Sequence, residues 1–347
     1  MERKTLVFVC LLVIALMVAS SVPAGAKKPT SPPDDESGAT GTIYYHGDGV
    51  WTMDGDGGNK QQLSFWGGSI SLTTHKDDHY WFVYFEKLED THPDGRYETE
   101  LRAVRDDGEG DCLLWYDGTM VYTDSYSGGN GPICWMCDDT YLSWVTWKIN
   151  ADKTIADPGI YKAALSWGSD DNTPTLGTPF KAYGTQAKDD GGGSDTFYSS
   201  GAYPSWSTDG SKLLFDDRID GGHEFVDFST TPMTVDHYDY GGGHGVSPDG
   251  TKMFFIEGGE SLIVMDIDGS NEQTIFSVAG KRASNSNIAY IYWSPDSSYL
   301  VYTLYTFSSH DLSYSGDIYN IGADGSDNSK LTKKTSTCDW YVPLAWR

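Results

Sequence analysis

Histidine is the residue type in this chain best suited to acid–base chemistry or metal binding. Its imidazole titrates near neutral pH, and its nitrogens bind divalent metals. The chain has eight histidines. No catalytic residue is assigned from the sequence; the candidates are His223, which follows an Asp-Gly-Gly turn, His237 and His244. His46, His92 and His310 fall near the same predicted surface, but no spacing places three ligands together. Histidines scattered over separate loops are the alternative.

Carboxylates form a second set of candidates. Asp54-Gly-Asp56 and Asp266-Ile-Asp268 place aspartates at alternate positions. A calcium loop needs further ligands, including a distal glutamate that neither segment has, so we interpret both as turns. The acidic segment 189–195 offers Asp189, Asp190 and Asp195 as candidate metal ligands, with a solvated loop as the alternative. We predict no cofactor, and a bound divalent cation stays an alternative.

Aromatic side chains are abundant, with 23 Tyr, 13 Phe and 12 Trp. Most fall in apolar runs that predict strands, whereas those in loops offer faces on which sugar rings could stack. The predicted ligand-binding residues combine these aromatics with the histidines: His244, His223, His310, Tyr198, Tyr240 and Tyr305. The chain lacks a Gly-x-Ser-x-Gly nucleophile elbow and the lysine of a phosphate-binding loop, which argues against a serine hydrolase and a nucleotide-binding enzyme.

The N-terminus has the three parts of a secretory signal peptide. Arg3 and Lys4 are followed by an apolar run over residues 6–19 and by Ala24-Gly-Ala26. The run is shorter than the about 20 residues that span a bilayer, although an uncleaved anchor is the alternative. We expect cleavage after Ala26, no remaining membrane span, and a secreted, periplasmic or cell-envelope location.

Three segments follow from composition. Residues 1–26 are the signal peptide, residues 27–40 (KKPTSPPDDESGAT) are a disordered linker, and residues 41–347 are one domain of uniform texture. Residues 1–26 hold one of the 50 acidic and two of the 24 basic side chains, so the mature chain has a net charge of −27. That charge argues against nucleic acid or anionic lipid as partners. We expect protein or polysaccharide partners and a monomeric domain.

Four cysteines remain in the mature chain: Cys112, Cys134, Cys137 and Cys338. Disulfides are expected only in an oxidising compartment, and four cysteines allow three pairings. The sequence does not choose among these pairings. Cys134-Trp-Met-Cys137 has the spacing of a redox or metal motif, but it has no second pair and no strand-then-helix context. We interpret it as structural.

A repeat organises the domain. PSWSTDGSKLLF (residues 204–215), HGVSPDGTKMFF (residues 244–255) and IYWSPDSSYLVY (residues 291–302) each predict a strand, a tight turn and an apolar strand. A second unit follows, a strand, an Asp-Gly hairpin and another strand, as in SLIVMDIDGSNEQTI (residues 261–275) and DIYNIGADGSDNSKL (residues 317–331). Together the two units give four strands, which make one propeller blade. The predicted structural residues are Trp135, Trp206, Trp293, Trp346, Asp209, Asp249, Asp296, Asp268 and Asp324.

These units resemble the TolB-like, WD-like propeller repeat. The family pattern is roughly Pro-x-Trp-Ser-Pro-Asp-Gly, then a strand ending in Asp-Gly, and the likeness is closest in the C-terminal half. The resemblance implies an all-β propeller that uses its loops and channel for protein interaction. It also implies that the Pro-Asp-Gly turns and Asp-Gly hairpins lie on one face of the propeller. The loops before each first strand and between the second and third strands lie on the other face.

First strands near residues 74, 135, 206, 246, 293 and 346 predict six four-stranded blades. Seven blades are the alternative, because residues 170–203 have room for further short strands. The chain ends in a first strand and begins with a second, so Thr42–Tyr45 should pair with Leu344–Trp346 and close the ring. The longest loops, at residues 86–98, 117–131, 148–158, 176–203 and 303–316, should lie on one face. Binding usually resides on such loops.

Two functions follow from these expectations. The first is a secreted, non-catalytic binding or scaffold propeller that uses its long-loop face and channel mouth for protein or glycan partners. The alternative is a carbohydrate-active enzyme, similar to oligosaccharide lyases, with a histidine-based site at the channel. Convergence of three histidines at the channel would favour the enzyme.

Overall fold

The structure is a computed structural model that describes residues 39–46, 50–62, 72–76, 79–87, 99–105, 110–116, 120–121, 133–135, 140–149, 155–168, 173–189, 197–217, 219–278, 286–308, 313–332 and 341–346. Within these ranges the chain forms strands and turns and no helix. Six antiparallel sheets make up a β-propeller, which confirms the predicted fold class. No segment in the described ranges forms a helix long and apolar enough to cross a membrane.

The sheets follow the chain. Blade 6 is made by β1 (Thr42–His46), β2 (Val50–Asp54) and β3 (Gln61–Gln62) together with the last strand, β27 (Val342–Trp346). Blade 1 consists of β4 (Leu72–Lys76), β5 (His79–Lys87), β6 (Thr99–Arg105) and β7 (Cys112–Trp115). Blade 2 consists of β8 (Met120–Val121), β9 (Ile133–Trp135), β10 (Tyr141–Ile149), β11 (Ile155–Trp167), β12 (Pro174–Leu176) and β13 (Phe180–Gly184).

The C-terminal blades are the most regular. Blade 3 consists of β14 (Ala187–Asp189), β15 (Phe197–Trp206), β16 (Lys212–Asp217), β17 (His223–Asp227) and β18 (Thr234–Tyr238). Blade 4 consists of β19 (His244–Val246), β20 (Lys252–Glu257), β21 (Ser261–Asp266) and β22 (Gln273–Ser277). Blade 5 consists of β23 (Ser286–Trp293), β24 (Tyr299–Ser308), β25 (Ser313–Gly322) and β26 (Ser329–Lys330).

Residues 170–203 do not form a seventh blade. The short strands β12 and β13 both pair with β11, and β14 pairs with the start of β15, so these residues extend blades 2 and 3. The prediction of a long loop at 303–316 is wrong over most of its length. There, β24 and β25 pair in register from Tyr299 opposite Gly322 to Ser308 opposite Ser313.

The ring closes where the sequence predicts. Ile43 pairs with Trp346 and Tyr44 with Ala345, which joins β1 to β27 in blade 6. The indole nitrogen of Trp346 donates to the carbonyl of Thr40 at 2.8 Å. Ala39, just upstream, is buried in the same cluster as Trp346, so the packed core extends to Ala39. Closure removes the free sheet edges of an open array.

The repeat tryptophans link neighbouring blades. Trp206 of blade 3 donates its indole N–H to the hydroxyl of Ser143 in blade 2 at 3.0 Å. Trp293 of blade 5 donates to the carbonyl of Gly245 in blade 4 at 3.2 Å. The core therefore lies between adjacent blades, where each sheet packs its alternate side chains against the next. The side chain of Trp135 is not described.

The repeat aspartates shape the turns between the first two strands of blades 3, 4 and 5. Asp249 accepts hydrogen bonds from the Ser247 hydroxyl at 2.7 Å and from the Thr251 amide at 3.0 Å. Asp209 and Asp296 make the same bonds in blades 3 and 5. The next residue has a positive φ in each turn: 68° at Gly210, 69° at Gly250 and 63° at Ser297. Glycine adopts this region without strain, whereas Ser297 does not.

Candidate functional site

The two ends of the propeller differ in construction. At the end that carries the repeat turns, here called the turn face, hydrogen bonds join successive blades. The Thr208 amide donates to the carbonyl of Pro248 at 2.8 Å, and the Asp249 amide donates to the Ser297 hydroxyl at 3.1 Å. The Thr40 hydroxyl donates to Asp296 at 3.2 Å. The opposite end, here called the loop face, carries the connections between the second and third strands and those between blades.

His223 lies between blades 3 and 4 near the loop face. It begins β17 and is only 1% exposed. Neither ring nitrogen has a hydrogen-bond partner among the described residues. The nearest carboxylate is Asp216 on the adjacent strand, 3.9 Å from Nδ1. Burial, with a contribution from the neighbouring His244, lowers the pKa of His223 to about 3, so the ring is neutral near pH 7.

His244 packs against His223 from the next blade. It begins β19, the innermost strand of blade 4, and the two ring centroids are 4.4 Å apart. Its Nε2 lies 2.9 Å from the carbonyl oxygen of Tyr203 in blade 3. Because a carbonyl can only accept, Nε2 is the protonated nitrogen in this contact. His244 therefore bridges the two blades.

The position of His223 is aliphatic in other blades. In blade 3, the repeat tryptophan Trp206 pairs with Leu213. Three residues further along the same strand, Asp216 pairs with His223. The same register in blades 4, 5 and 6 gives Leu262, Ile318 and Val50. Each of these three side chains is fully buried. A histidine with unsatisfied nitrogens thus replaces the aliphatic residue that the architecture normally uses, at a cost in desolvation free energy.

Aromatic rings continue this cluster toward the outside of the propeller. Phe255 lies 5.3 Å from the His223 ring and stacks on Tyr240 at 4.6 Å. Tyr238 packs on the same phenylalanine at 5.2 Å. Burial and a hydrogen bond to Glu272 raise the pKa of Tyr240 to about 12. The half-buried Tyr240, followed by three glycines, forms the outer end of a row that begins at His244.

His237 does not join the pair. In the β17–β18 register it lies opposite Glu224, whereas His223 lies opposite Tyr238. Because successive side chains alternate, His237 points to the other face of the sheet, toward blade 2. It is 43% exposed, with Nε2 3.1 Å from Asp239. Two of the three candidate catalytic histidines therefore converge and the third does not.

Glu224 sits at the loop-face end of the blade 2–3 interface. The Tyr183 hydroxyl from blade 2 lies 3.5 Å from its carboxylate. Burial and the charge of Asp217 raise the pKa of Glu224. Asp216, Glu224 and Tyr183 were not singled out from the sequence. Their proximity to the histidines depends on strand register. In the sequence, only the adjacent Asp216-Asp217 pair could have pointed to acidic groups here.

The other predicted ligand-binding residues lie elsewhere. Tyr305 lies in strand β24, not in a loop, with its ring 5.9 Å from Tyr290 and its hydroxyl buried, and burial raises its pKa. Tyr198 lies in β15, and its side chain is not described. His310 lies outside the described residues.

The candidate metal positions remain predictions. Asp189 ends β14 with its side chain not described, and Asp190 and Asp195 lie outside the described residues. In the paired-aspartate hairpins, Asp54 accepts a hydrogen bond from Asn59 at 2.5 Å and Asp266 accepts one from Asn271 at 2.6 Å. Asp268 and Asp324 accept the amides of Ser270 and Ser326 at 2.9 Å, which suits the structural interpretation. Across the described ranges, no group of three or more His, Cys, Asp or Glu side chains could hold a metal ion.

The pairing of the cysteines, among which the sequence did not choose, stays open. Cys112 is half-buried in β7, with its sulfur 3.9 Å from the carbonyl oxygen of Pro174. The side chains of the other three cysteines of the mature chain are not described.

Comparison with known proteins adds likenesses of fold. The sequence matches no family profile and no curated protein. A solved oligogalacturonate lyase in complex with manganese is 14% identical with a TM-score of 0.43, over 74% of this chain and 63% of that one. TolB from Acinetobacter baumannii is 16% identical with a TM-score of 0.37, over 76% and 66%. The periplasmic gluconolactonase of Pseudomonas aeruginosa is 12% identical with a TM-score of 0.41, over 88% and 97%. The chain thus spans less than two thirds of the length of the first two structures. The low identities and TM-scores carry no information on activity.

Proposed function

We propose that this protein is an exported, non-catalytic binding propeller whose loop face holds a protein or glycan partner. The observation that carries the proposal is the His223–His244 pair. It places the two ring nitrogens of His223, which have no hydrogen-bond partner among the described residues, near the loop face at a position that is aliphatic in blades 4, 5 and 6. Sites that depart from the rules of packing are commonly functional sites.

Two further features support the loop face as the working surface. The turns of blades 3, 4 and 5 are joined to one another at the turn face, and their aspartates are engaged within the turns. Tyr240 brings an aromatic ring to the outer end of the histidine row, next to the Gly241–Gly243 run. A partly exposed aromatic ring beside polar groups is typical of binding surfaces.

The test is binding by the mature chain, residues 27–347. The chain is screened on a glycan array and used to capture proteins from the cell-envelope fraction, and any partner is titrated with two tyrosine variants. Tyr240→Ala should weaken binding at least tenfold. Tyr299→Ala, at the turn-face end of β24, should leave it unchanged. Loss of binding with Tyr299→Ala and not with Tyr240→Ala would place the site on the wrong face and overturn the proposal.

A carbohydrate-active enzyme, similar to oligosaccharide lyases, is the second candidate. It is favoured by one observation, the 4.4 Å approach of the His223 and His244 rings. His244 is the candidate general base, because the low pKa of His223 makes that ring a poor one. Turnover of oligosaccharides with and without EDTA separates the two. Turnover that falls at least a hundredfold in His244→Gln would establish the enzyme, and its absence would leave the binding propeller.

A further inference from the structure

The joint between blades 3 and 4 is built in two halves. Toward the turn face it is aliphatic, with Leu214, Val246 and Met253 buried together. The turns at that end are joined through Thr208 and Pro248. Toward the loop face the same joint holds the two histidines.

The loop-face half favours the neutral form of His223. Burial is the main cause of its low pKa, and the neighbouring His244 adds to it. The titratable groups that face His223 from the elements around it are Asp216 on β16, Tyr238 on β18, Tyr240 after β18, His244 on β19 and Glu257 at the end of β20. His237 lies behind the sheet, and the backbone of Tyr240 acts with Asp216 to raise the pKa of His223. Asp216 is the nearest carboxylate, and at 3.9 Å it is beyond hydrogen-bond distance.

We propose that this joint is an acid-sensitive hinge, whose loop-face half opens when His223 takes up a proton. A proton on His223 would place a charge where neither ring nitrogen has a hydrogen-bonded acceptor among the described residues, 4.4 Å from a second imidazole. Asp216 and the backbone of Tyr240 favour that charge, but burial outweighs them. Opening gives the ring access to water, where it titrates normally. The aliphatic half and the Thr208–Pro248 bond hold the turn-face end together. At the loop face the hydrogen bond from His244 to the Tyr203 carbonyl must break, and the charge on His223 drives that opening.

The size of the pH effect on opening follows from the pKa values of His223 in the open and closed joint. In the open joint the ring has an ordinary pKa near 6.5, and in the closed joint about 3. Linkage then raises the equilibrium constant for opening about 25-fold between pH 7 and pH 5. This hinge does not depend on what the loop face binds.

The experiment measures opening through a buried thiol. Ile263, 2% exposed, lies in the same cross-strand row as Phe255 and His244, so Ile263→Cys reports the loop-face half of the joint. Ile321→Cys, at a position 1% exposed in the blade 4–5 core, is the matched control. Both chains react with 4,4′-dithiodipyridine at pH 7 and pH 5, and peptide mass spectrometry quantifies labelling at each position. The ratio of the two rates cancels the intrinsic pH dependence of the reagent.

The ratio should rise about 25-fold from pH 7 to pH 5 and stay flat when His223→Leu is added. His223→Gln serves the same comparison if the leucine variant does not fold. His237→Gln, on the opposite face of the same sheet, should keep the rise. An unchanged ratio in the parent chain, or a rise that persists without His223, would overturn the proposal. Equal acceleration at both positions would mean global unfolding and would also overturn it.

Discussion

Trp346 closes the propeller ring, so its removal should destabilise the whole domain. The side chain is 5% exposed and packs with Ile43, Met53 and Ala39, and its indole N–H donates to Thr40. A buried tryptophan covers about 150–250 Å² of surface, and such substitutions to alanine cost about 3–5 kcal/mol. We therefore expect Trp346→Ala to lower the free energy of unfolding by about 4 kcal/mol. For a domain of about 300 residues this lowers the Tm by roughly 6 °C.

Urea denaturation followed by tryptophan fluorescence, together with calorimetry, measures the loss. Trp346→Phe keeps most of the packing and removes the hydrogen bond, so it should cost about 1 kcal/mol. Trp293→Ala is the matched control, because Trp293 has the same repeat position, similar burial and an equivalent bond to Gly245. It should cost about as much as Trp346→Ala.

Removal of residues 343–347 separates closure from the loss of one side chain. It takes away the partners of Ile43, Tyr44 and Tyr45 and leaves β1 with an unpaired inner edge. The truncated chain should be less stable than Trp346→Ala, with a broader unfolding transition. A truncated chain that melts at the same temperature as the parent would refute the closure argument.

Three further predictions concern packing, turns and pH. Gly55→Ala should lower the free energy of unfolding by about 1–3 kcal/mol in urea denaturation. A Cβ at that position would lie 2.5 Å from the Ala39 carbonyl oxygen and 2.9 Å from the Trp346 ring. A loss below about 0.5 kcal/mol would contradict the packing of Ala39. Asp249→Ala should cost about 1–2 kcal/mol, since the Ser247 hydroxyl and the Thr251 amide lose their acceptor, and the exposed Asp239→Ala should be neutral in the same assay. The pKa of His223 is about 3 in the folded state and about 6.5 in the unfolded state. Between pH 6.5 and pH 3 the unfolded state therefore binds more protons than the folded state. The free energy of unfolding should fall by up to about 1.4 kcal/mol per pH unit as the pH drops through this window. His223→Leu should flatten that window in urea titrations, and an unaltered slope would show that His223 is not the responsible group.

Much of the fold could be predicted from residues 204–347. The Ser-x-Asp-Gly turns need a carboxylate acceptor and a positive φ, and both requirements are visible in the sequence. Likewise, an isolated first strand at Val342–Trp346 and an isolated second strand at Thr42–His46 can only complete each other in a closed ring. The strands within 170–203 were expected only as the mark of a seventh blade, and those within 303–316 were predicted as a loop. How far two strands pair, and with which neighbour, depends on the partner strand as well as on residue preference.

The candidate site could be predicted only in part. The candidate histidines were visible as residue types, but whether they meet depends on which face of a sheet each one occupies. A one-residue slip of β17 against β16 would turn His223 to the other face of blade 3, and a slip of β18 against β17 would turn His237. The bulges at Tyr203 and Tyr290, with φ of 53° and 51°, were likewise hidden, since bulky residues rarely adopt this conformation.

The sequence by itself determined the repeated turns, the blade units and the closing partners, because each depends on residues near one another in the chain or on the count of strands. Only the tertiary structure decided that His223 is buried with no hydrogen-bond partner among the described residues and that His244 reaches it from the next blade. That pairing arises from the packing of two sheets, and packing is set by contacts between strands that local sequence does not specify. The same packing gives the His223 side chain its depressed pKa, and with it the acid-sensitive joint that we propose between blades 3 and 4.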